Sequence, residues 1–259
     1  MNAAGKRSEI KWNELLLMFL PLAVFLAGWQ FFTAGDQHRQ FIFSTPYQVW
    51  EALVRITVSG ELARNLMVTV FEAICGFVLG TTIGAVVGLS LWYSRIVAKV
   101  AQPYITALAT VPIFALAPIV IVWFGIGLLS KIMLAFMSTV AVAIVQSYQG
   151  AMSVEERYMR LMKVLGANRA QTFRIVVVPS ALIWVINAMK LNVGLALLGA
   201  FIGEFISAEE GLGYMIVKAS GLYDMGTVLA GVFVLVVVAL VLTALVGALE
   251  KRLLRWKMQ

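Results

Sequence analysis

The chain has 259 residues, 61% hydrophobic and 13% charged, with a formal net charge of +7 and a mean hydropathy of +0.92. Soluble domains carry about 45–50% apolar and roughly 25% charged residues, so the composition excludes an ordinary water-soluble domain and points to a polytopic membrane protein folded as one bundle. One cysteine, Cys75, and one histidine, His38, exclude a disulfide framework and argue against a zinc or haem site within the chain.

In chain order, a polar start with Lys6, Arg7 and Lys11 precedes an apolar run, residues 15–32, that ends in Trp29, Phe31 and Phe32. Aromatic residues gather at membrane interfaces, so this run reads as a first span, and Thr33 to Phe43 as a loop. Thr45, Pro46 and Gln48 supply a cap, a first-position proline and a capping-box partner, which predicts a surface helix from there. The second span covers 66–92, where Gly76, Gly80, Gly84 and Gly88 recur every fourth residue and form a ridge for close helix approach. The third span, 104–124, carries Pro112 and Pro118 and is expected to bend. A fourth span covers 132–147. A fifth, 181–201, reads as broken up by Asn187, Lys190, Asn192, Gly194 and Gly199. A glycine-rich stretch, Gly203 to Met225, precedes a sixth span at 226–249. The fold class is therefore all-α with six transmembrane helices.

Between the fourth and fifth spans lies a polar interruption, residues 151–180. Apolar positions in it recur at helical spacing, predicting two short amphipathic helices joined at Gly166, with Asn168 capping the second and Pro179 closing the unit. Six spans put this elbow on the same side as both termini and the Arg95–Lys99 loop. Fourteen basic residues fall on that side (Lys6, Arg7, Lys11, Arg95, Lys99, Arg157, Arg160, Lys163, Arg169, Arg174, Lys251, Arg252, Arg255, Lys257) and five on the other (Arg39, Arg55, Arg64, Lys131, Lys218). The positive-inside rule makes the richer side cytoplasmic. The net charge is then topogenic, with no call for a nucleic-acid partner.

The elbow resembles the cytoplasmic loop of permease subunits of ATP-binding-cassette importers. Gly166 is followed by nine residues and then Val176, Val177, Val178 and Pro179, in the family's spacing; the family's Glu-Ala-Ala triplet is replaced by Arg160, Leu161 and Met162. The stretches from Val111-Pro112 to Pro118, Trp123 to Gly127, Leu165 to Arg169, and Gly203-Glu204 through Gly211-Leu212-Gly213-Tyr214 are similar to the nitrate/sulfonate/taurine branch, a likeness running from Pro46 onward. The resemblance implies a permease dimer, most simply a homodimer, in the bacterial inner membrane. It also implies two ATPase subunits that hold ATP and Mg²⁺, and an extracytoplasmic binding protein that delivers a small anionic solute. The chain has no Gly-x4-Gly-Lys-Ser/Thr phosphate loop and needs no cofactor of its own.

On that reading Arg160, Leu161, Met162, Leu165, Gly166, Val176 and Pro179 form the ATPase-coupling elbow, with Leu161, Met162 and Leu165 docking in an ATPase groove. Polar residues inside spans are candidates for the solute path: Asn187, Lys190 and Gly194, within about 60° of one another on a helix, and Gln146, with Ser138, Thr139 and Thr110 as further candidates. The competing reading of Lys190 is an ion pair with Glu72 of the second span or a bond to a freed backbone carbonyl. Glu204, Gly211 and Gly213 are candidates for an outer gate or a binding-protein contact, against plain turn chemistry. The alternative class is an ion- or proton-coupled secondary transporter; no inverted repeat is evident to favour it.

Overall fold

The computed structural model describes residues 12–207 and 209–254, which form helices joined by short turns with no strand among them. The basic residues Lys6, Arg7, Lys11, Arg255 and Lys257 lie outside the described residues. Among the described residues twelve α-helices follow in order, four of them long and apolar enough to cross a bilayer.

The bundle is built on three long helices, α4 (Glu61–Ser90), α7 (Leu128–Met152) and α10 (Val178–Ser207), each packed against the other two. The glycine ridge is what brings α4 onto α7. A Cβ built on Gly76 would sit 2.9 Å from the Phe136 nitrogen, one on Gly84 2.7 Å from the Val140 carbonyl oxygen, and one on Gly80 would overlap the Thr139 hydroxyl. Without a hydrophobic driving force between helices in lipid, such backbone-to-backbone packing is the main source of association. The fifth expected span is corrected: α10 is continuous. Its Gly199 is a contact glycine, whose Cβ would lie 2.6 Å from Ala135 Cα, and the Asn192 side-chain N–H donates to the Thr81 hydroxyl at 2.9 Å inside the bundle.

Around this centre, α1 (Trp12–Thr33) lies beside α2 (Gln37–Phe43) and α3 (Pro46–Val58), and α3 packs on α12 (Met225–Leu253). The stretch 33–43, expected as a loop, contains α2 because the Asp36 carboxylate accepts the His38 and Arg39 N–H groups at 2.9 and 3.3 Å. Thr45 and Gln48 form the expected capping box at the start of α3. The third expected span is also corrected. It consists of α5 (Arg95–Thr110) and α6 (Ile113–Phe124), which meet at 95°. Val111 precedes a proline and adopts extended backbone, ψ 126°, so the helix stops there; Pro118 stays inside α6 and breaks nothing. Only as a bent pair do these two helices count as a fifth span. Finally, the glycine-rich stretch after α10 holds α11 (Leu212–Gly221), packed on α12 and α10.

Candidate functional site: the elbow, the outer charge cluster and the open face of α10

The elbow forms from α8 (Glu156–Val164) and α9 (Arg169–Thr172). Gly166 takes φ +71°, the left-handed conformation that glycine adopts without penalty, and the turn closes with Ala167 N–H donating to the Met162 carbonyl at 2.9 Å. Asn168 and Gln171 cap α9 reciprocally, each bond 2.8 Å. Pro179 does not close the unit. Residues 173–177 form a π-turn, Val178 N–H donates back five residues to Phe173, and Pro179 enters α10 in its first turn, where a missing N–H is tolerated.

Of the expected docking residues, Leu161 and Leu165 are exposed. Met162 is corrected: at 8% exposure it packs inward, and Val164, 84% exposed, joins the ridge instead. The i, i+3, i+4 spacing of 161, 164 and 165 carried that signal. Arg160 lies exposed and pairs with Glu156 one turn earlier at 2.6 Å. Val176 is half-buried beside the fully buried Val177. The elbow is pinned to the end of α4 by contacts the sequence reading missed: Arg169 donates to the Tyr93 carbonyl at 3.0 Å, and Phe173 packs on the rings of Trp92 and Tyr93 at 5.5 and 4.8 Å.

At the other end of the bundle a charge cluster lies out of water. Glu204 is 1% exposed; one carboxylate oxygen accepts the Thr69 hydroxyl and the other the Gly213 N–H, both at 2.6 Å. Thr69 in turn accepts Leu212 N–H, and the Asn65 side-chain oxygen accepts Gly211 N–H, each at 2.8 Å. The first donors of α11 are thus satisfied by side chains of α4 and α10. A Cβ on Gly211 would overlap the Glu204 carboxyl, and one on Gly213 would lie 2.9 Å from it. All three expected residues meet, but they are buried against one another, so a direct contact of Glu204 or Gly213 with a partner protein is corrected. Beside them Glu72 is fully buried and faces Lys131 Nζ at 3.4 Å, with neither of its oxygens hydrogen-bonded among the described residues. The cluster therefore holds two carboxylates and one ammonium. Asn65, Thr69 and Glu72, at i, i+4 and i+7 of one face that continues into the glycine ridge, were the unread signal.

The Lys190–Glu72 pair is corrected as well: Lys190 donates to Glu250 of α12 at 2.6 Å. Asn187 and Gly194 remain exposed on α10 in line with Leu191 and Leu198, Gln146 is half-buried on α7, and Thr110 is exposed. Ser138 and Thr139 are buried and donate to carbonyls of their own helix. Replacing Lys190 with Met is expected to leave expression intact and cut uptake severalfold if this lysine serves the solute; wild-type uptake would remove it from the path. Outside the spans, Arg55 binds Asp224 at 2.6 Å. Burial pushes the Asp224 carboxyl up, but hydrogen bonds from Thr227 and the Arg55 charge outweigh it and hold the group below its ordinary value.

A helical bundle with an external elbow, stacked membrane helices and an internal polar cap is the architecture of a membrane transport subunit. Residues 80–255, more than half of the chain, match the family described as binding-protein-dependent transport system inner membrane component, and the chain belongs to that family. It is similar to the riboflavin transport system permease protein RibX of Chloroflexus aurantiacus, 31% identical over 96% of this chain and 92% of that one. It is also similar to the taurine transport system permease protein TauC of Escherichia coli, 28% identical over 97% of this chain and 94% of that protein. Its fold is that of a chain in a crystal structure of a bacterial ABC transporter involved in the import of the acidic polysaccharide alginate, with a TM-score of 0.63 at 17% identity, covering 94% of this chain and 99% of that chain. The protein is an ABC importer permease, a multi-pass component of the inner membrane that works with ATPase and binding-protein partners.

Proposed function

We propose that two copies of this chain form the translocation path for a small anionic solute of the sulfonate or taurine kind, with an ATPase subunit on each elbow and both termini in the cytoplasm. The observation that carries the reading is the elbow: a capped pair of short helices, fixed to the bundle at Tyr93 and Phe173, with Leu161, Val164 and Leu165 exposed and without a partner among the described residues. ATP and Mg²⁺ belong to the ATPase subunits, and movement of the elbow is the energy input. The similarity to a taurine permease supports the solute class, and the exposed Asn187–Gly194 face of α10 is the surface we assign to the path. The binding protein would meet the end of the bundle where α2, α3 and α11 lie.

The test is Gly166→Pro. Proline holds φ near −65° and lacks the N–H that Gly166 donates to the Lys163 carbonyl at 3.1 Å, so the elbow turn cannot form. The expected result is normal insertion with substrate-stimulated ATP hydrolysis reduced to its basal level. Unchanged stimulation would overturn the docking role. Transport that needs no ATPase subunit and follows a proton gradient would overturn the ATP-driven reading itself.

A further inference from the structure

A cavity of about 650 Å³ lies between the elbow and the start of α5. Arg95 of α5, Arg160 and Lys163 of α8, and Arg169 of α9 line it; Glu156 is its one carboxylate and is already bound to Arg160. Among the described residues Arg95 and Lys163 have no ion pair and no side-chain hydrogen bond, and Arg169 reaches only the Tyr93 carbonyl. Arg95 also occupies the first position of α5, the positive end of the helix dipole, where a cation is unfavourable. Three separate elements thus bring four cations to one hollow, where Glu156 is the one lining carboxylate among the described residues.

The hollow shares Arg160 and Gly166 with the coupling elbow but not its exposed apolar ridge. On α8, Glu156, Arg160 and Lys163 share one side, and by the helical period Leu161, Val164 and Leu165 lie more than 100° away around the axis on average. Trp92 also lines the hollow and packs edge-on against Tyr93 and at a tilt on Phe173, an aromatic cluster of the kind that sits at headgroup level.

We propose that this cavity binds a phosphate-bearing anion, and that the bound anion ties the elbow to α5. Guanidinium groups from α5, α8 and α9 and an ammonium from α8 suit phosphate oxygens. The chemistry is shared by an anionic lipid headgroup and by free phosphate. The inference rests on the elbow being the energy-coupling element for its effect, though not for binding.

The experiment uses the assembled transporter in nanodiscs, wild type against Arg95→Gln/Lys163→Gln, both exposed positions whose replacement leaves packing untouched. In one arm phosphatidylglycerol is titrated into phosphatidylcholine discs, with lipid adducts counted by native mass spectrometry. In the other, inorganic phosphate is titrated into pure phosphatidylcholine discs, with the melting temperature as readout. Charged side chains at a membrane surface each contribute about 1 kcal/mol to anionic binding, so the double variant is expected to bind at least about tenfold more weakly. Saturable binding in the first arm that the variant loses identifies a headgroup site; in the second, a soluble-phosphate site. Equal behaviour of variant and wild type in both arms overturns the proposal. So does loss of the ATPase from the variant with no change in either titration, which would make the cavity a protein contact. Because both readouts are binding, they stand or fall apart from the Gly166→Pro result.

Discussion

Lys131→Met is expected to destabilise the protein by about 3–5 kcal/mol, the usual cost of removing one partner from a buried ion pair. The side chain is 8% exposed and is the cluster's cation, facing Glu72 and packed at the level of Glu204 on α10. Without it two carboxylates remain inside the bundle. Thermal unfolding of the purified protein, followed by loss of the monodisperse peak on size-exclusion chromatography, measures the change. Adding Glu72→Gln to Lys131→Met is expected to restore much of the loss, since the double change removes one charge of each sign. A single variant as stable as wild type, or a double variant no better than the single, would mean that the three groups do not act as one electrostatic unit.

The second large effect is expected from Gly80→Leu. The site is closed by the Thr139 side chain and by the Phe136 carbonyl 2.9 Å from where a Cβ would stand, so a branched side chain must push α4 away from α7. Overpacking costs about 1–3 kcal/mol in a core that can relax, and here the obstacle includes backbone, which puts the cost at the upper end or above. The same measurement applies. Gly80→Ala should fall between wild type and Gly80→Leu, and a tolerated leucine would show that the two helices are not locked by backbone contact.

The parts of the fold that a local signal determines could be read from the chain. Gly166, Asn168 and Gln171 define the elbow turn because a left-handed residue and a capping pair act within a few positions. The glycines of α4 announce close packing through their four-residue repeat. What could not be read depends on distant partners. Lys190 goes to Glu250, sixty positions away, and Glu72 goes to Lys131; a charge in an apolar span says that a partner exists and does not say which. The glycines of α10 looked like breaks because a glycine that weakens a helix and one that admits a neighbour are identical in sequence. The kink at Val111-Pro112 and the smooth passage at Pro179 differ for the same kind of reason: one proline follows a completed helix, the other enters a helix in its first turn with a π-turn ahead of it.

That passage at Pro179 has a mechanical result. Helical backbone runs unbroken from Arg169 to Ser207, 39 residues, or about 58 Å at 1.5 Å per residue. A push on the elbow is therefore applied to one end of a lever whose far end holds the Glu204 carboxylate that caps α11. Tilting such a lever by about 10° around its middle swings each tip by about 5 Å, well beyond the length of any hydrogen bond in that cap. On the proposed coupling role of the elbow, force delivered there would reach the Glu204 cap of α11 through a single piece of chain.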